Sequence, residues 1–300
     1  MSKRIVVVGS LNMDIIISTD RLPQIGETIL GESVSYMAGG KGANQAVSAA
    51  RLGGDVTMVG AVGQDEFGST LLAQMEKNQV NTAHIGRAAE VKTGIADIFH
   101  VAHDNCIVVV PGANYSLTPD KITPEVEALI AGADVVLAQL EIPVETVQRV
   151  MEIARHHNVT TILNPAPAQS LSGDLLELVD YLTPNETEFA LLTEHPFTSD
   201  SELEALMTEW EAAYRQKLIV TLGSRGSAFL DDGSLVITPA EVVEAVDTTG
   251  AGDAYNGALA VAAAEQRTLA EMTRFATRVA ARAVTKFGAQ DGMPYRDELD

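Results

Sequence analysis

Ile5-Val6-Val7-Val8, closed by Gly9, is a β-branched run that is apolar at every position. A strand with one face in water alternates apolar and polar residues; one buried on both faces need not. The run therefore reads as an interior strand. Val56–Val59, Val135–Leu140, Thr160–Leu163 and Leu218–Leu222 repeat its character, and helical stripes stand between these runs. Ala43, Ala46, Val47 and Ala50 recur at helical spacing. Ile122, Val126, Leu129 and Ile130 line one face, and Leu203, Leu206, Met207 and Trp210 form another. Each stripe is a core face. Strand-helix alternation of this kind predicts an α/β fold, with a central mostly parallel sheet flanked by helices.

Two segments break the rhythm. Ile15–Ser18 and Ser33–Met37 read as strands with no helix between them, joined through Pro23 and Gly26. Thr93–Val101 and Ile107–Val110 form a second such pair around the polar tip His103-Asp104-Asn105. Together they predict a small separate sheet, a discontinuous β lid at approximately residues 13–38 and 92–111. A later hairpin, Ser227–Leu230 to Leu235–Thr238 around Asp231-Asp232-Gly233, reads as an antiparallel edge. No internal repeat, low-complexity segment or long linker interrupts residues 1–300, so a single domain is expected.

The 20 Lys+Arg against 41 Asp+Glu leave a net charge of −21. That excludes a general nucleic-acid coat, which needs clustered basic side chains, and equally docking on an anionic membrane. With 46% hydrophobic and 20% charged residues the chain is not a disordered acidic tail. Its apolar stretch Ala258–Ala264 is far short of the ~20 residues that span a bilayer. The N-terminal apolar run is too short for a signal peptide. One cysteine, Cys106, forms no internal disulfide and suits a reducing compartment. A soluble cytoplasmic protein is expected.

The strongest signal for chemistry is Asp247-Thr248-Thr249-Gly250-Ala251-Gly252-Asp253-Ala254, between the strand-like Val242–Val246 and the apolar helix Tyr255–Ala264. A glycine-rich turn at a helix start leaves backbone N–H groups unpaired, and with the helix dipole they attract an anion. A carboxylate in the same turn, Asp253, makes little sense for anion binding alone. It makes sense if the carboxylate removes a proton from a nucleophile while the amides hold the developing charge. The plainer alternative is an N-cap with an acidic first turn. No Gly-Lys-Ser/Thr follows, so this is not a Walker loop.

Gly39-Gly40-Lys41-Gly42-Ala43-Asn44-Gln45-Ala46 superficially resembles a dinucleotide fingerprint, but it does not follow the first strand. Glycine-rich backbone beside Lys41 and Asn44 suits a polyhydroxyl ligand better than a pyrophosphate. Asn12 and Asp14 lie just after the first strand, and Glu141 follows Val135–Leu140. Asn185-Glu186-Thr187-Glu188 begins a helix after Tyr181–Pro184, and Thr221–Gly226 follows a further strand. Ligands of open parallel sheets bind outside the carboxyl ends of the strands. Each element alone reads as a turn or a cap; their shared edge makes them a site.

Asn12-Met13-Asp14, Gly39–Ala46, Gln139-Leu140-Glu141, Asn164-Pro165-Ala166-Pro167, Pro184–Glu188, Thr221–Gly226 and Asp247–Asp253 occur in order over essentially the whole chain. In this combination the chain resembles the phosphofructokinase-B sugar kinase family. Gly-Gly-Lys-Gly-Ala-Asn is particular to its ribokinase-like branch. The resemblance implies a ribokinase-like fold and ATP-dependent phosphorylation of D-ribose at O5. It implies that Asp253 takes the proton from the sugar 5-hydroxyl and that the amides of Gly250, Ala251 and Gly252 hold the transferring phosphoryl group. Phosphoryl transfer needs positioning and charge stabilisation more than covalent chemistry, which fits such a site.

By the same resemblance Asn12, Asp14, Gly40, Lys41, Gly42, Asn44 and Glu141 contact ribose. Asn185, Thr221, Leu222, Gly223, Ser224, Arg225, Gly226, Gly252 and Thr277 lie at the nucleotide. Glu188 with Asn185 organises Mg²⁺ through water. An activating K⁺ is implied beside the anion hole at Asp247, Thr249, Ala283, Lys286, Gly288 and Gly292, mostly through backbone carbonyls. Two positions depart from the family: Gly292 commonly is serine, and Thr277 more often is Asn or His near the adenine. A homodimer is implied, its exposed lids pairing across a two-fold axis.

The rival readings are a kinase for deoxyribose or another small sugar or nucleoside, and a sugar sensor without catalysis. Deoxyribokinases resembling this family carry an apolar residue near Asn12, so Asn12 favours ribose. A sensor would show a broken anion hole or a replaced base, and Gly250–Asp253 is intact. His100 and His103 lack the further ligands of a zinc site. Asn114-Tyr115-Ser116, Asn158-Val159-Thr160 and Asn185-Glu186-Thr187 match a glycosylation pattern that means nothing without secretion.

Overall fold

The computed structural model describes residues 3–101 and 104–299; His103, expected at the lid tip, lies outside them. The chain opens with β1 (Arg4–Val8), passes through β2 (Asn12–Ser18) and β3 (Ser33–Gly39), and returns by α1 (Lys41–Arg51) to β4 (Asp55–Gly63). Helix α2 (Glu66–Lys77) leads to β5 (Asn81–Ala88), followed by β6 (Gly94–Val101) and β7 (Asp104–Val110). Then α3 (Pro124–Ala131) precedes β8 (Val135–Ala138), and α4 (Val144–His156) precedes β9 (Thr160–Leu163). The one-turn α5 (Gly173–Leu176) leads to β10 (Tyr181–Leu182). Helices α6 (Glu186–Thr193) and α7 (Asp200–Tyr214) lead to β11 (Lys217–Leu218). The remainder is β12 (Val220–Thr221), β13 (Ser227–Asp231), β14 (Ser234–Thr238), α8 (Ala251–Ala264), α9 (Leu269–Ala283) and α10 (Ala289–Gly292).

Seven strands form the central sheet in the order β11-β10-β9-β8-β1-β4-β5, every pairing parallel. The all-apolar β1 lies in its interior, as its composition requires. Ile5 and Val7 face a core shared with α1, α8 and α9, while Val6 and Val8 face a second core built with α3, α4 and α7. Burying both faces of the sheet is the main hydrophobic contribution to the fold.

The four expected lid strands form one separate sheet, β3-β2-β6-β7. Strand β2 begins two residues before Asp14, so Asn12 and Asp14 stand on the lid strand itself rather than in a loop after β1.

Other boundaries differ from the sequence reading for identifiable reasons. Val242–Val246 is not a strand: Val242 is fully exposed, and the Val246 N–H donates to the Val284 carbonyl at 2.8 Å instead of to a neighbouring strand. Leu218–Leu222 divides between two sheets, β11 pairing with β10 and β12 running antiparallel to β13. The later hairpin consequently belongs to its own three-stranded sheet, not to the edge of the central one. Ile122 precedes α3, because Thr123 caps that helix and Pro124 starts it. Val135–Leu140 stops as a strand at Ala138. Among the described residues no helix is long and apolar enough to cross a membrane.

Candidate active site

Helix α8 starts at the glycine-rich turn, with Gly250 as N-cap in the left-handed region at φ 78°. A side chain at Gly250 would also run into Ala289 at 2.8 Å, so only glycine serves both requirements. Among the described residues the N–H groups of Gly250 and Gly252 have no protein partner. The Ala251 N–H is different from expectation, because it donates to the Thr248 carbonyl at 3.2 Å. Asn256, one turn further on, donates to the Gly252 carbonyl at 2.8 Å and holds this turn in place.

Asp253 is buried. Helix α1 crosses α8 closely enough to reach it, since a Cβ at Gly257 would lie 2.5 Å from the Ser48 Cβ. Asn44 Nδ2 then donates to Asp253 Oδ2 at 2.9 Å, and Gln45 Nε2 donates to Oδ1 at 3.0 Å. Lys41, at the first position of α1, faces four carboxylates. Burial alone would lower its pKa, but Asp253, Glu141, Glu188 and Asp14 outweigh that and leave it above its ordinary value.

Glu141 Oε2 collects the sugar-side elements. It accepts from the Ser10 hydroxyl, from the Lys41 backbone N–H at 3.1 Å and from Asn12 Nδ2 at 3.5 Å. Asn12 is itself fixed, its Oδ1 accepting from Asn114 Nδ2 at 2.7 Å. The Asp14 carboxylate sits against Gly39, where any side chain would collide with it. Burial pushes the Asp14 pKa up to about 7, helped by Glu141 and Asp253 and opposed by Lys41. Asp14 lines a cavity of about 640 Å³ between the lid and the loop Ala245–Thr249. Gly40 is the N-cap of α1. Gly42 is buried against Ser10, its N–H donating to the Ser10 hydroxyl at 3.3 Å, so its role here is close packing.

A second cavity, of about 510 Å³, meets the first at Ala245 and Thr248. Asn185, Thr221, Gly223, Ser224, Gly226, Gly252 and Thr277 all stand on its wall, with Val242 and Val243 of the non-strand segment. Leu222 and Arg225, expected there, do not. Leu222 belongs to the hydrophobic core, and Arg225 is drawn to an ion pair with Asp200. Thr277 shares a hydrogen bond with Ser227 at 3.2 Å, and Ser227 receives the Tyr255 hydroxyl at 2.9 Å.

The proposed metal positions are partly committed to the fold. Asn185 and Glu188 form a reciprocal capping box on α6, which engages Glu188 Oε2. Burial raises the Glu188 pKa, with Asp253 adding to it and Asn185 and Lys41 opposing. Asp247 bridges two loops, Oδ1 accepting from Thr249 N–H and Oδ2 from Gly288 N–H, each at 2.9 Å. Gly292 faces the carbonyl oxygens of Ala283 and Lys286; a Cβ there would collide with the first and lie 3.5 Å from the second. Two carbonyl oxygens, the atom type expected of a K⁺ ligand, thus lie near Gly292. No group of three or more His, Cys, Asp or Glu among the described residues could hold a metal by itself.

Sequence reasoning gave no role to Ser10, Asn114 and Gln290, nor to Gln45, Gln139 and Asn164 although these stand in the quoted motifs; all six are within this polar network. Asn164 is the first residue beyond β9, so the strand-end argument applied to Glu141 would have reached it, whereas Gln139 was hidden inside a strand read as far as Leu140 but ending at Ala138.

Residues 2–296 match the family described as pfkB family carbohydrate kinase. The chain is 43% identical to a ribokinase of Bacillus subtilis over 298 residues, covering 99% of this chain and 98% of that one. It is 34% identical to a deoxyribokinase of Salmonella typhi, covering 99% of this chain and 97% of that protein. The structure of an Arabidopsis thaliana ribokinase complexed with ribose and ATP superposes with a TM-score of 0.93 at 32% identity, covering 100% of this chain and 98% of that one.

Proposed function

The chain belongs to the pfkB family of carbohydrate kinases, and on that premise we propose that it transfers the γ-phosphoryl group of ATP to O5 of D-ribose. The observation that carries the reading is the place of Asp253, buried in the first turn of α8 beside the unpaired amides of Gly250 and Gly252. The cavity lined by Asp14, read as the sugar's, and the cavity lined by Gly252, read as the nucleotide's, meet at Ala245 and Thr248. Asp253 accepts the O5 proton as O5 bonds to the γ-phosphorus and the bond to the β-phosphate oxygen breaks, releasing ADP. The two amides and the charged Lys41 meet the negative charge on the transferring group.

Mg²⁺ would supply charge neutralisation of the phosphates when bound, and Glu188, whose Oε2 is engaged by the capping box, would hold it through water with Asn185. The carbonyls of Ala283 and Lys286 would hold K⁺ beside the loop that Asp247 ties together, where it would add positive charge next to the anion hole. Asn12 favours ribose over deoxyribose, because its amide is fixed by Asn114 and a site built for a hydroxyl is left with unpaired polar groups when the hydroxyl is missing. The lid mediates a homodimer, and the exposed Cys106 suits a cytoplasmic setting.

The test is a sugar panel assayed with ATP and Mg²⁺, in K⁺ or in a large organic cation at equal ionic strength. Ribose should exceed 2-deoxyribose in kcat/KM, and K⁺ should activate. Asp253→Asn should lower turnover by ~10²–10⁴ with ribose still bound. Equal use of 2-deoxyribose would overturn the sugar assignment, and near-normal turnover in Asp253→Asn would overturn the base.

A further inference from the structure

An ionised carboxylate only accepts hydrogen bonds. That simple fact sets the direction of two side-chain amide chains around Asp253. Gln45 turns its Nε2 to Asp253 Oδ1 at 3.0 Å, so its Oε1 faces away and accepts from Gln139 Nε2 at 2.7 Å. Asn44 turns its Nδ2 to Oδ2 at 2.9 Å, so its Oδ1 accepts from Gln290 Nε2 at 3.1 Å. Each chain then ends in an amide oxygen. Among the described residues Gln139 Oε1 and Gln290 Oε1, both buried, have no hydrogen-bond partner.

An unpaired buried acceptor is destabilising, and a flipped terminal amide would only place oxygen against oxygen. Both chains start at the same carboxylate, and both leave their unsatisfied atom at the far end. The unsatisfied atoms therefore follow from keeping N–H donors on Asp253. Gln45 Nε2 also donates to Asn164 Oδ1 at 3.0 Å, and Asn164 Nδ2 to the Thr183 carbonyl at 3.1 Å. Gln139, Asn164 and Thr183 are the first residues beyond β8, β9 and β10. The network is thus seated on the carboxyl ends of three adjacent strands. Gln139 stands on the wall of neither cavity.

We propose that Gln139 and Gln45 form a directional amide relay that positions the carboxylate of Asp253 for proton transfer, with Gln290 and Asn44 as its counterpart on the other oxygen. The proposal rests on Asp253 being the base. Gln139 is a positioning residue: it acts through Gln45, and small misplacements of a reacting group lower rates disproportionately.

Gln139→Met tests it, because methionine keeps the volume while removing both the donor and the stranded oxygen. The expected result is a Tm close to the parent's, since one unpaired amide oxygen is exchanged for another, Gln45 Oε1, and a kcat about tenfold lower, the fold-change of one net hydrogen bond. KM for ribose and ATP should stay within about twofold, since binding and chemistry separate in this way when only the transition state is affected. In a Gln45→Met background the same change should alter kcat by less than about twofold, as expected for residues acting in series. A lowered Tm with kcat retained, or losses that multiply independently, would overturn the relay. Asp253→Asn in the same assay separates the premise: if it abolishes turnover while Gln139→Met is normal, only the relay falls, and if it stays active, the base assignment falls.

Discussion

Asp14 keeps its proton to about pH 7 because burial disfavours its charge and Glu141 and Asp253 repel it, with Lys41 only partly offsetting them. The unfolded value is near 3.8, so between about pH 4 and pH 7 the folded chain binds the proton that the unfolded chain has lost. The stability associated with Asp14 is therefore full at low pH and falls as pH rises through that window. Ribose acts in the opposite sense, since sugar hydroxyls donate to the ionised form. We expect Asp14→Asn to raise Tm at pH 8 and flatten its pH dependence, while raising KM for ribose about tenfold, as for one lost charged hydrogen bond. We expect KM of the parent to fall with rising pH up to about 7 and then level. Thermal melts and initial rates across pH 5 to 9 check both; a Tm lowered by the substitution at pH 8 contradicts the electrostatic account.

At the scale of elements, the crossing of α1 and α8 brings Asn44 and Gln45 to Asp253. Gly257 permits it: a Cβ there would meet Ser48 Cβ at 2.5 Å, Ser48 Oγ at 2.6 Å and the Gln45 carbonyl at 2.7 Å. Gly257→Ala should push the helices apart, destabilising by about 1–3 kcal/mol as overpacked cores do, and kcat should fall with Tm. Denaturant titration with rate measurements checks this, and an unchanged kcat would show that the crossing has slack.

The central strands were legible because a run apolar at every position has few alternatives to the interior of a parallel sheet. Val242–Val246 is also rich in valine, but it is interrupted by Glu244 and has no neighbouring strand, and pairing is not a property of one segment. The glycine-rich turn before Asp253 was legible because few structures need that sequence. The amides of Gln45, Gln139 and Gln290 were not, since their meaning arises only when helices and strand ends far apart in sequence are brought together. Arg225 was misplaced because an ion pair with Asp200 depends on the approach of α7, which local sequence does not encode.

For the whole molecule, the lid carries an apolar face that its own chain leaves open. Register places Tyr36, Ile15, Asp97 and Val108 in one row across β3, β2, β6 and β7, and Val34, Ile17, Phe99 and Cys106 in the next. Val34, Tyr36 and Val108 are more than half exposed, and these rows hold one charged residue. A second copy of the same face is the partner the proposed homodimer requires. Opposing it is the net charge of −21 on each chain, repulsion that salt screens beyond ~10 Å at 0.1 M. Apolar contact and charge repulsion then predict a salt response opposite to that of an ion-paired interface: the dimer should tighten from low to moderate ionic strength. Val108→Glu would bury a carboxylate without a partner, weakening association by about 3 kcal/mol, roughly 10² in Kd. Sedimentation of parent and Val108→Glu over a salt series measures both effects. Dimers in the parent, tighter with salt and lost in the variant, are the expected outcome. A dimer that loosens with salt would place ion pairs, and a different surface, at the interface. A monomeric parent at every salt concentration would remove the homodimer from the account of this protein.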